Sequence, residues 1–70
     1  MIEFKLRAGE EFIPLCDLLK VTGLCESGAV AKHMIADGLV QVDGMVDTRK
    51  RRKVRAGENV LFQGQEIKVI

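Results

Sequence analysis

The sequence has no tryptophan and no tyrosine, and only three phenylalanines. With so few rings, stacking of bases on aromatic platforms is not expected to dominate any nucleic-acid contact. Long apolar runs are missing too. None approaches the ~18 consecutive residues of a membrane-spanning helix. The opening MIEFKLR carries charge where a secretory signal needs an apolar stretch. Two cysteines, Cys16 and Cys25, do not make a disulfide framework, and their spacing is unlike that of zinc motifs. Reduced thiols and a cytoplasmic location are therefore expected. Length sets a further bound: a 70-residue chain buries only about 60% of the surface that its unfolded form exposes. One domain over residues 1–70 can hold two helices and a small sheet, but hardly an enclosed catalytic pocket as well.

What is present is strongly uneven in charge. Net charge is only +1, yet Arg49, Lys50, Arg51, Arg52, Lys53 and Arg55 place six of the eleven basic residues within seven positions. No acid lies among them. The remainder has five basic and ten acidic residues, a net of −5. A domain that is acidic except for one basic patch has a polarised field, which attracts and orients a polyanion. The plainer alternative is a solvated loop that serves solubility.

Local structure is best marked between Ser27 and Gly44. Ser27 suits an N-cap, because its hydroxyl can accept from a free backbone N–H one turn in. Gly38 suits the position after a helix end, where the backbone turns left-handed. Between them Val30, Ala31, Met34 and Ile35 share one face at 100° per residue. The opposite face holds Ala29, Lys32, His33 and Ala36, small and basic with no carboxylate. Leu39–Val42 then reads as a strand with Val40 and Val42 on one side. Asp43-Gly44 is a two-residue hairpin signal, since a type I′ turn needs positive φ at both central residues. Met45 and Val46 begin the return.

The flanks complete an α+β pattern. IEFKLR alternates apolar and polar, as a short edge strand does. Phe12 to Thr22 reads as a first helix, with Pro14 in its first turn and Leu15, Leu18 and Leu19 as its buried stripe. Cys16 flanks that stripe. Gly23 stops the helix, and the short connection to Ser27 forces the two helices together. The end of the first helix, with Lys20, is then expected near the exposed face of the second. After the basic run Val54 resumes a strand, Val60–Phe62 forms a buried one, and Glu66–Ile70 alternates as the last. The fold class expected is two packed helices against a small, mostly antiparallel sheet.

The ordered set Gly23-Leu24, Ser27, Ala31, Ile35, Gly38, Val40, Val42, Asp43-Gly44, Val54, Gly57-Glu58 and Val60 resembles the RNA-binding domain named after small-subunit ribosomal protein S-four, the αL motif. The match spans residues 13–62. With CDLLK, ESG, AK, VDG and TRKR, the chain is similar to small stand-alone bacterial members of the YbcJ type. The resemblance implies binding of structured RNA, ribosomal RNA among the candidates, by the exposed face of the second helix and an adjacent basic loop. It implies Lys32 on the helix, Lys20 at the end of the first, and Arg49, Lys50 and the nearby basic Arg51, Arg52, Lys53 and Arg55 in the loop. His33 is read separately, as a surface histidine placed to touch phosphate. A monomer without cofactor is expected. Larger relatives carry the domain beside catalytic domains such as pseudouridine synthases and tyrosyl-tRNA synthetases. Two positions depart from the family pattern. Gly28 stands where arginine usually follows the cap serine, and Pro14-Leu15-Cys16 replaces an Arg-Leu-Asp opening. Both losses shift expected binding toward residues 49–55.

Catalytic and metal readings are weaker. His33 has no second histidine. Cys16 has Lys20 four residues on, but no acid–base partner. Asp43 is explained by its turn, and Asp17, Asp37 and Asp47 show no ligand spacing. A protein-interaction adaptor whose loop meets an acidic partner stays open beside RNA binding.

Overall fold

The computed structural model describes residues 1–70. In chain order it contains β1 (Ile2–Phe4), β2 (Ile13–Pro14), α1 (Leu15–Val21), α2 (Gly28–Ala36), β3 (Val40–Val42), β4 (Met45–Val46), β5 (Lys53–Val54), β6 (Asn59–Phe62) and β7 (Gln65–Val69). Five strands form one sheet in the order β1-β7-β6-β3-β4, and β2 pairs with β5 in a second, two-stranded sheet. Only the β1–β7 pairing is parallel; the others are antiparallel. The expected class therefore holds: two helices packed on a mostly antiparallel sheet, with IEF at its edge.

Helix α2 forms where its signals place it. The Ser27 hydroxyl accepts from the Val30 N–H at 3.2 Å. At the other end Gly38 has φ +78. Its N–H reaches the Ile35 carbonyl at 3.0 Å, and the Leu39 N–H reaches the Met34 carbonyl at 3.2 Å. This pair of bonds satisfies carbonyls that a helix end otherwise leaves open. The hairpin between β3 and β4 turns on Asp43 at φ 50 and Gly44 at φ 84, as the type I′ geometry demands. The Asp43 carboxylate also accepts from the Asn59 N–H at 2.9 Å, tying the turn to β6.

Fourteen buried residues make one core. The sheet contributes Val40, Val42, Val60, Phe62, Ile67 and Val69, and the helices contribute Leu15, Leu18, Leu19, Ala31 and Ile35. Alternation does this work in the sheet. Inward Val42 and Val60 are cross-strand partners, while Gln41, Leu61 and Glu66 lie one position off and face outward. Val30 and Met34 are half-buried against the same core.

Two expectations about the first helix are corrected. It begins at Leu15, not near Phe12, because Ile13 and Pro14 pair with Val54 and Lys53. Pro14 is accordingly the N-cap, with extended ψ of 139, and not a first-turn residue. Cys16 does not flank the apolar stripe but lies inside the core, 1% exposed. A partner strand about forty residues away decides where the helix starts, and no local pattern reveals it.

Candidate nucleic-acid interface

The basic run is folded onto the start of α1. Pro14 offers that helix no side-chain cap, so its first N–H groups need other acceptors. The loop supplies them: Leu15 N–H donates to the Arg52 carbonyl at 2.8 Å, and Cys16 N–H to the Lys50 carbonyl at 3.1 Å. A turn closed by the Arg52 N–H on the Arg49 carbonyl, 3.2 Å, shapes the tip. The backbone of the loop is thus tied to a buried element while its side chains project from it.

Two carboxylates from the flanks sort those side chains. Arg52 donates to both oxygens of Glu58, at 3.0 and 2.8 Å, and its Nε lies 3.0 Å from Asp47 Oδ2. That Nε makes no aligned hydrogen bond, so the Asp47 contact is chiefly ionic. The Arg52 side chain is only 20% exposed. Arg49 grips Asp47 through Nε at 3.0 Å and Nη2 at 2.7 Å, yet its side chain remains 72% exposed. Hydrogen bonding from Arg49 pulls the Asp47 carboxyl down to about 2. The bidentate grip of Arg52 likewise lowers Glu58. Both arginines are in turn held more firmly in their charged form.

A ring organises the other end of the run. Lys53 Nζ lies 5.0 Å from the centroid of Phe12, and the Arg55 guanidinium carbon 5.8 Å from the same centroid. Both fall within cation–π range. The Arg55 N–H also donates to Glu58 at 2.7 Å. As a result Arg49, Arg51, Arg52, Lys53 and Arg55 line one open concavity of about 540 Å³, with no apolar or acidic side chain among them. Lys50 is exposed on the tip outside it.

The remaining sequence-predicted residues lie elsewhere. His33 is exposed and Lys32 half-buried on α2. Lys20 does not join the loop. It lines a separate groove with Phe4, Lys5, Arg7, Glu10 and Asp17. The reason is helical phase: Asp17, Lys20 and Val21 share the face of α1 turned away from the core, beside β1 and the segment before β2. Phe12, Asp47 and Glu58 have no role in the site on sequence grounds alone. Phe12 reads as part of the first helix, and the two acids lie just outside the run that they order. No group of three histidine, cysteine, aspartate or glutamate side chains is arranged to hold a metal ion, and no helix is long and apolar enough to cross a membrane.

Comparison with known proteins matches this arrangement to one family. The model of the S4 domain matches residues 4–70. The chain is 55% identical over 58 residues to the "Putative RNA-binding protein YbcJ" of Escherichia coli (strain K12), covering 83% of each. It is 38% identical over 58 residues to a tyrosine–tRNA ligase of Nitrosospira multiformis, of which the match covers 14%. Among solved structures it is similar to the solution structure of YbcJ from E. coli, described as revealing an αL motif involved in RNA-binding. That match has a TM-score of 0.76 and 50% identity, and covers 100% of this chain and 87% of the other. With the family model spanning nearly the whole chain, and the capped helix, glycine stop and type I′ hairpin in place, the chain belongs to the S4 domain family.

Proposed function

We propose that this chain binds structured RNA, without catalysis, through phosphate contacts centred on the loop 49–55. The observation that carries the reading is the concavity lined by five cations alone, in a molecule whose remainder is net acidic. Each cation that neutralises a phosphate releases condensed counterions, which makes affinity steeply salt-dependent. Arginine adds bidentate grip. The relatives support RNA as the polyanion, since YbcJ is described as RNA-binding. Lys50, Arg51, Lys53 and Arg55 are the principal phosphate ligands. Arg49 contributes from its Asp47 clamp, and Arg52 chiefly holds the loop. Lys32 and His33 extend the surface along α2. Lys20 lies in another groove and adds only at long range. One shared core supports treating residues 1–70 as a single domain.

The test is a salt titration of binding to a folded RNA and to duplex DNA of equal length. A steep salt slope with tighter binding to RNA near physiological salt is the expected result. Equal, weak binding to both would overturn the reading and favour an acidic protein partner for the same loop.

A further inference from the structure

The cationic concavity has a neighbour of different chemistry. A second groove, about 530 Å³, runs between the β3–β4 hairpin and the start of the basic loop. Arg49 and Arg52 line both hollows, so the two are contiguous. The second also holds the apolar Val42, Met45 and Val46. Its ionised groups are Asp43 and Asp47 against Arg49 and Arg52, so its formal charge balances. Met45 and Val46 are 75% and 56% exposed.

We propose that this groove receives an unpaired nucleobase of the RNA whose phosphate rests on the basic loop; the inference rests on the RNA-binding reading above. The two hollows differ as the two halves of a nucleotide differ. Arg51, Lys53 and Arg55, cations with no ion-pair partner, suit a phosphate in the first hollow. A charge-balanced groove gives phosphate no net attraction but accepts a neutral, flat group. Met45 and its cross-strand partner Val42 lie on one face of the hairpin and offer apolar surface to such a group, and methionine sulfur is soft and adapts to aromatic surfaces. Thr48, on the same rim, can donate to or accept from a base edge. RNA loops and bulges present unstacked bases of this kind, whereas paired RNA hides them. A second copy of the chain fits less well. Strand β4 has only two residues, too few to extend a ladder, and a stable protein interface needs about 800 Å² per partner. That would be nearly a fifth of the 4437 Å² surface of this molecule.

The probe is an RNA hairpin with one bulged nucleotide, compared with the same hairpin abasic at the bulge. Both keep the same phosphates. The parent protein is expected to bind the first about five- to tenfold more tightly, in line with the contribution of one packed base. The M45S variant changes one exposed position and keeps the β-branched Val46 in β4. It is expected to lose that preference while binding the abasic hairpin as the parent does. Equal binding of both hairpins by the parent overturns the subsite and leaves the phosphate loop standing. A variant weakened equally on both RNAs also overturns it. Binding of neither RNA by the parent overturns the RNA reading itself, and the subsite with it.

Discussion

The loop 49–55 and the outer face of α2 are both basic surfaces, but they are built differently. On the helix, Lys32 and His33 project from a regular scaffold, and neither has an ion-pair partner. The loop has no regular scaffold before β5 at Lys53–Val54. It is held by its carbonyls on the start of α1, by Asp47 and Glu58 on two of its arginines, and by Phe12 under Lys53 and Arg55. Charge density alone would make such a loop spread through self-repulsion. Here partly buried carboxylates and a ring absorb part of that repulsion and fix where the free cations stand. Preorganisation of this kind reduces the ordering that a ligand must otherwise bring about.

If the loop is the principal surface, neutralising it must do most damage. Replacing Arg49, Lys50 and Lys53 together by glutamine should weaken folded-RNA binding on the order of 50-fold near 0.2 M salt and lower the salt slope by about 2–3. Fluorescence anisotropy across a salt series measures both, and far-UV circular dichroism should show the fold unchanged. Parent-like affinity in that variant would shift the site to the helix.

Arg52 should break the comparison in another way, through stability. Arg52→Gln leaves Asp47 and Glu58 without their shared cation and should cost about 2 kcal/mol. A domain of this size would then melt roughly 10 °C lower. Acid should act on the same cluster. Asp47 titrates at about 2 when folded, below its ordinary 3.8, so the unfolded chain takes up the proton first. Its stabilising contribution is complete above pH ~4 and is lost as pH falls through ~2. Glu58, also lowered, acts in the same direction. Thermal melts from pH 5 to pH 2 should fall more steeply for the parent than for Asp47→Asn.

Phe12 sharpens the difference between packing and cation–π support. Phe12→Leu should weaken RNA binding about two- to fivefold, the scale of one cation–π contact at a partly exposed site, and Phe12→Trp should restore it. Equal affinities for the leucine and tryptophan variants would show that the ring acts only as bulk. The smallest effect is expected on the helix: Lys32→Gln should cost about threefold and lower the salt slope by less than 1. A loss as large as that of the loop triple would reverse the comparison.

How much of this was legible depended on the range of the cause. Ser27, Gly38 and Asp43-Gly44 act within one turn of chain, and α2 and the β3–β4 hairpin follow from them. The start of α1 was misplaced because the competing pairing of Ile13 with Val54 is distant in sequence. Arg51 and Arg52 are neighbours in an unbroken basic run, and nothing local tells them apart. Only the fold brings Glu58 to one of them and leaves the other in the open concavity.

By itself, then, the sequence determined the elements whose signals are local: the capped second helix, the glycine stops, the tight hairpin, the apolar alternation of the sheet and the concentration of positive charge. The tertiary structure decided which cations are free, which are bound to carboxylates, and that Phe12 lies beneath two of them. The physical reason is that backbone conformation and side-chain periodicity act over a few residues. Ion pairing and ring contacts depend on distances in space, and those exist only once β5 has paired with β2 and the loop has closed over α1.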